Sequence, residues 1–78
     1  MKFRVHVMPR PESLDPQGRA VHGALERMGF PIKDCRVGKA IIIDVDARDK
    51  QAGLTQAKEM ADKLLANPLV ETYEVEAL

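Results

Sequence analysis

Apolar residues alternate with polar ones at both ends of this chain, and this pattern limits the possible folds more than any other feature. The apolar positions are Phe3, Val5 and Val7 near the N-terminus and Tyr73 and Val75 near the C-terminus. A repeat of two places these side chains on one face of a β-strand and their polar neighbours on the other. The sequence therefore predicts a strand from Lys2 to Met8 and another from Leu69 to Leu78, each with one buried face.

Two helices are predicted between the end strands. Asp15 is a suitable N-cap for the first, because its carboxylate can accept hydrogen bonds from the free amides of the first turn, and Pro16 suits the first helical position. Gly29 is expected to end this helix. Its apolar stripe, which should pack inward, consists of Ala20, Val21, Ala24, Leu25 and Met28. The second helix is predicted from about Asp49 to Ala66, where Asn67-Pro68 stops it, and Gly53 inside it should cost about 1 kcal/mol relative to alanine.

The stretch from Asp34 to Asp46 permits two interpretations. Cys35 and Val37 alternate with polar residues before Gly38, and a second alternation follows it. Gly38 either opens a tight hairpin turn between two strands or marks a bulge within one long bent strand. The sequence does not decide between them.

This order of elements predicts an α+β fold, a two-layer sandwich written β-α-β(β)-α-β, in which two helices cover one face of a small, mainly antiparallel sheet. Residues 1–78 are predicted to form a single domain. A right-handed crossover through the first helix would place the first strand parallel to the next. Ile42 would then point to the uncovered face of the sheet, which makes it a candidate residue of an oligomer interface.

Self-association is expected because a domain of 78 residues leaves much apolar surface near solvent. The single cysteine, Cys35, excludes an internal disulfide and a four-thiolate zinc site as other means of stabilisation.

Twelve basic and twelve acidic residues cancel and are scattered, so no nucleic-acid partner is predicted. The open face also lacks the aromatic residues that stack on RNA bases. No segment is apolar enough for a signal peptide or membrane helix, and a cytoplasmic location is expected by default.

No catalytic, metal or cofactor site is predicted. His6 and His22 fall on polar faces, which favours solvated side chains over acid–base or metal roles. Cys35 shares a strand face with Val37 and is interpreted as a small buried hydrophobe. Asp44 and Asp46 share a strand face, as metal-binding carboxylates can, but a solvated face is the simpler interpretation. No glycine-rich phosphate loop is present.

Three strings of residues resemble the PurS-type small subunits of phosphoribosylformylglycinamidine synthase. The first is Leu14-Asp15-Pro16-Gln17-Gly18 with Ala20-Val21, Ala24-Leu25 and Gly29-Phe30; the second is Val37-Gly38-Lys39; the third is Leu64-Leu65-Ala66-Asn67-Pro68 with Val70-Glu71 and Tyr73. They occur in order and span nearly the whole chain. Cys35 and the Ile41-Ile42-Ile43 run depart from the family pattern and leave the details of the sheet surface open.

The resemblance implies a non-catalytic subunit of a ligase of purine biosynthesis, which converts formylglycinamide ribonucleotide to formylglycinamidine ribonucleotide. ATP, Mg and glutamine would be used by the partner subunits, a synthetase of the PurL type and a glutaminase of the PurQ type. This chain would have no cofactor of its own, form a dimer or tetramer, bridge the two partners and help to retain ammonia.

Partner contacts are expected at loops and strand ends, where recognition concentrates. The candidates are Asp15, Pro16, Gln17, Gly18, Arg36, Gly38, Lys39, Asn67 and Pro68. Asp15 and Pro16 also suit a purely structural role in starting a helix, and Asn67-Pro68 in ending one. Two other functions remain open at this point: a small-molecule-binding regulatory module of ferredoxin-like architecture, and a stand-alone enzyme that depends on Cys35 or a histidine.

Overall fold

The computed structural model describes all 78 residues and contains the predicted sequence of elements. These are β1 (Lys2–Pro9), α1 (Pro16–Arg27), β2 (Lys39–Asp44), α2 (Lys50–Met60), a π-helical turn (Ala61–Leu65) and β3 (Glu71–Ala77). The predicted α+β class, with two helices and a small antiparallel sheet, is confirmed. None of the helices combines the length and apolar character needed to cross a membrane.

The sheet has the strand order β2-β1-β3, and β1 is antiparallel to both neighbours. The predicted parallel pairing of the first strand with the next is therefore wrong. Val7 of β1 lies opposite Lys39 of β2, and Pro9 lies opposite Glu71 of β3, so one end of the sheet gathers the end of β1 and the starts of β2 and β3. We call it the Pro9 end. The connection through α1 leaves and returns at this end, which requires an antiparallel pair.

The hydrophobic core lies between the sheet and α2. Its largest fully buried side chains come from β1 and are Phe3, Val5 and Val7. The facing residues of α2 and the π-turn are small, namely Gly53, Ala57 and Ala61. Because these three positions are four residues apart, they lie on one face of the helix and allow it to approach the sheet closely.

Gly53 has a packing role that its helix propensity does not reveal. A Cβ atom added at this position would lie 2.7 Å from Cζ of Phe3, which is closer than Cβ atoms approach other atoms in real proteins. The glycine therefore makes room for the Phe3 ring, and its lower helix propensity is offset by that packing.

The helix α1 departs from the predicted sandwich because it does not cover the sheet. It has at most marginal contact with the strands and with α2, and the molecule extends over 50 × 24 × 14 Å. The apolar stripe predicted to pack inward is exposed or half-buried in this chain; Val21 is 41% and Met28 70% exposed. Of the two helices, only α2 lies on the sheet.

The segment before β2 matches neither predicted interpretation. Residues 33–38 form no strand, and β2 begins only at Lys39, so there is no hairpin at Gly38 and no long bent strand. Gly38 lies instead against the end of β1, where an added Cβ would overlap the carbonyl oxygen of Val7 and the sulfur of Met8. The glycine is needed for this close approach of the loop to the strand.

Candidate partner-contact site

The fold brings most of the predicted contact segments to the Pro9 end of the sheet. Asp15 and Gly18 begin α1, Arg36 lies in the loop that returns from it, and Asn67-Pro68 follows the π-turn. Two arginines connect these segments through backbone carbonyls. The predicted residues thus form one connected region, although they are far apart in the sequence.

Asp15 holds the start of α1 against the returning loop. One oxygen of its carboxylate accepts a hydrogen bond from the amide of Gly18 at 2.9 Å, which is the predicted N-cap. The other accepts from the amide of Val37, also at 2.9 Å, and lies 3.7 Å from Nε of Arg36. We call this group of Asp15, Gly18, Arg36 and Val37 the Asp15 clasp.

The Arg36 guanidinium binds the loop that follows β1. Its amino groups donate hydrogen bonds to the carbonyl oxygens of Pro9 at 3.2 Å, Arg10 at 2.6 Å and Pro11 at 3.1 Å. A planar guanidinium can serve several acceptors at once, which an ammonium group does less well. Arg36 therefore joins the loop before α1 to the loop after it.

The charge of the Asp15 carboxylate is stabilised inside the clasp. The amide of Val37 and then the amide of Gly18 hold the pKa of Asp15 below its usual value of 3.8; partial burial opposes this, and the nearby Arg36 adds a further lowering. Asp15 is therefore ionised throughout the neutral range.

Asn67 and Pro68 form a turn that is fixed by the neighbouring loop. The side-chain oxygen of Asn67 accepts from the amide of Leu69 at 3.1 Å, and Glu71 accepts from the amide of Asn67 at 2.7 Å. Arg10 donates to the carbonyl oxygen of Pro68 from Nε at 3.2 Å and from Nη2 at 2.8 Å. Arg10 was not among the predicted contact residues. Its position between Pro9 and Pro11 marks a loop but does not indicate which groups its side chain binds.

The remaining candidates differ in accessibility. Pro16, Gln17, Gly38 and Lys39 are exposed, and Gly18 is buried under the loop. Ile42 is 53% exposed on the open face of the sheet, as predicted, and pairs with Arg4 of β1.

A polar cleft of about 360 Å³ lies between α1 and the returning loop. His22 and Cys35 both line it, together with residues of the clasp. His22 lies 3.5 Å from Glu26, one helical turn away. No three histidine, cysteine or carboxylate side chains are grouped closely enough to share a metal ion, and one of the two predicted aspartates, Asp44, accepts a hydrogen bond from the N-terminal amine at 3.0 Å.

Comparison with known proteins identifies the family. The family model for PurS, phosphoribosylformylglycinamidine (FGAM) synthase, matches residues 2–78. The chain belongs to the PurS family. The phosphoribosylformylglycinamidine synthase subunit PurS of Thermotoga maritima is 38% identical over 78 residues, covering 99% of this chain and 95% of the relative.

Solved structures of PurS have the same fold. The crystal structure of the PurS subunit from Thermotoga maritima superposes with a TM-score of 0.91 at 38% identity, covering 99% of this chain and 90% of that one. The PurS-like chain in the structure of PurLQS from the same organism superposes with a TM-score of 0.89 at 38% identity, covering 99% and 95%. The resemblance inferred from the three strings of residues is confirmed.

Proposed function

We propose that this chain is the small subunit of a phosphoribosylformylglycinamidine synthase and assembles with a PurL-type synthetase and a PurQ-type glutaminase. The supporting observation is the match along nearly the whole chain to PurS proteins, one of which is described in a PurLQS structure. ATP, Mg and glutamine would be used by the partners, while this chain bridges them and supports ammonia transfer. The single thiol, Cys35, suits the reducing cytoplasm in which we place the complex.

The subunit itself is proposed to be non-catalytic. The cleft beside α1 is polar and borders the clasp, where Asp15 and Arg36 already bind backbone groups. His22 is paired with the carboxylate of Glu26, and the thiol of Cys35 is free and half-buried. These arrangements suit a scaffold more than a nucleophile or a general base.

A homo-oligomer, dimer or tetramer, is part of the proposal. The apolar stripe of α1 and the side chain of Ile42 are exposed in the single chain. Apolar surface of this kind is favourable to bury between subunits, and β2 and β3 also present free strand edges.

Reconstitution tests the proposed function. The purified chain should bind the synthetase and glutaminase, and glutamine-dependent formation of the amidine should require all three. Cys35→Ser, His6→Ala and His22→Ala should leave that activity within about twofold of the unmodified complex. If the chain neither binds nor affects ligation, or if one of these variants abolishes activity in an assembled complex, the proposal is wrong.

The alternative of a small-molecule regulatory module is not favoured by the family match. Calorimetric titration of the chain alone with purine intermediates and amino acids should therefore show no micromolar binding.

A further inference from the structure

Packing against the sheet or α2 does not fix the orientation of α1. In a compact domain, interdigitating apolar side chains fix one helix against its neighbours. Here α1 has at most marginal contact with the sheet and α2, and its apolar residues are largely exposed. Other interactions must hold the helix at a defined angle.

Polar interactions at the Pro9 end join α1 to the sheet. Asp15 binds an amide of α1 with one oxygen and an amide of the returning loop with the other. Arg36 in that loop binds three successive carbonyls, those of the last residue of β1 and of the two residues after it. Through the two side chains, the start of α1 is connected to the end of β1 on one side and to the lead into β2 on the other.

The backbone is also packed closely at this point. Gly18 is buried, and a Cβ atom there would overlap the carbonyl oxygen of Cys35 and the Asp15 carboxylate. The loop therefore lies directly on the first turn of α1, which leaves the helix little freedom to tilt.

We propose that Asp15 and Arg36 are positioning residues that set the orientation of α1 relative to the sheet and do not themselves contact the partner subunits. Their hydrogen-bonding groups are directed at backbone atoms of this chain, with side chains only 11% and 28% exposed. This revises the expectation that they are direct contacts. The consequence for assembly rests on the proposed function, whereas the orientation of α1 does not.

Nuclear magnetic resonance of the full chain tests the orientation. Residual dipolar couplings report whether α1 and the sheet share one alignment, and hydrogen exchange reports the bonds that the amides of Gly18 and Val37 donate to Asp15. In Arg36→Met, the couplings of α1 should no longer fit the alignment of the sheet, and exchange of the Val37 amide should accelerate by about tenfold or more.

Two further variants make the result specific. Asp15→Asn retains an acceptor for one amide but loses the charge beside Arg36, so it should loosen α1 even if Arg36→Met fails to fold. Arg48→Met is the matched control, because Arg48 is 88% exposed and interacts only with the adjacent Asp49. It should leave both measurements unchanged. Unchanged couplings in Arg36→Met and Asp15→Asn would overturn the proposal, since packing on a second copy would then orient the helix.

Binding to the synthetase and glutaminase separates positioning from contact. If Arg36→Met loosens α1 and weakens binding by about tenfold or more while Arg48→Met does neither, the proposal is supported. Lost binding with unchanged α1 couplings would identify Arg36 as a direct contact and overturn it. If the unmodified chain fails to bind, the proposed function is wrong, but the coupling data still decide the role of the clasp.

Discussion

Gly53 and Gly23 occupy helix interiors, yet they differ in what a side chain would meet. An added Cβ at Gly53 would lie 2.7 Å from the ring of Phe3, which is fully buried. At Gly23 the nearest atom is the flexible end of Arg27 at 3.2 Å. Glycine is therefore required at position 53 to make room for Phe3, whereas at position 23 it only lowers the helix propensity of α1.

Alanine substitution should separate the two glycines. Gly53→Ala gains about 1 kcal/mol of helix propensity but overpacks the core by about 1–3 kcal/mol, so a net loss of about 1 kcal/mol in unfolding free energy is expected. Gly23→Ala should instead gain up to about 1 kcal/mol. Urea denaturation of both variants measures the difference, and stabilisation by Gly53→Ala would show that Phe3 moves aside without cost.

Asp15 should make the clasp sensitive to acid. Because its pKa in the folded chain lies below 3.8, folding favours the ionised form. The stability that this group contributes is present above pH 3.8 and is lost as the pH falls through the lower pKa of the folded state. The amide resonances of Gly18 and Val37 should titrate together below pH 3.8, and in Asp15→Asn this step should disappear. Titration at the usual pKa would contradict the hydrogen bonding described.

At the scale of elements, β1 carries the core. Val5 is fully buried in the central strand, whereas Val70, in the turn before β3, is 44% exposed. Val5→Ala should lower the free energy of unfolding by about 2 kcal/mol, since it removes two buried methyl groups and leaves a cavity. Val70→Ala should change it by less than about 0.5 kcal/mol. Thermal denaturation compares them, and equal effects would argue against a core centred on β1.

Local signals predicted most of the elements but not how they are arranged. Asp15 and Gly29 mark the ends of α1 through their own hydrogen bonding and backbone conformation, and the structure has the N-cap bond and a φ of 95° at Gly29. The alternation in β1 likewise identified its buried face. Helix caps and strand alternation depend only on residues that are close together in the sequence, so they can be identified from one sequence.

The placement of α1 had no local signal. An apolar stripe predicts that a helix packs on something, but it does not say whether the surface belongs to the same chain. The link from Arg36 to the carbonyls of Pro9, Arg10 and Pro11 joins positions about 25 residues apart and uses backbone acceptors that every residue offers. The sequence therefore indicated most of the segments that meet at the Pro9 end, but it did not predict the clasp that connects them.

At the scale of the whole molecule, the chain is long and thin and has a small core. Only nine of its 78 residues are buried, so the single chain should have a small free energy of unfolding. The exposed apolar side chains of α1 add to the apolar surface area that two chains can bury when they associate.

The melting temperature should therefore depend on protein concentration. Association of folded chains shifts the folding equilibrium by mass action, so the melting temperature should rise over a hundredfold increase in concentration. Val21→Asp, which places a charge in the exposed stripe of α1, should lower the melting temperature and remove this dependence. Differential scanning calorimetry with sedimentation velocity measures both. A constant melting temperature for a monomeric species would contradict the proposed oligomer.

The central position of β1 sets the order in which the chain can fold during synthesis. Phe3 pairs with Ile43 on one side and with Ala77 on the other, so β1, although made before the other two strands, lacks one of its neighbours until β3 has been made. Until then its apolar face has no full partner, and folding depends on contacts of long sequence separation. Chains that end at Val70 should remain largely unfolded by circular dichroism, and nascent chains should need protection from aggregation until β3 has been made.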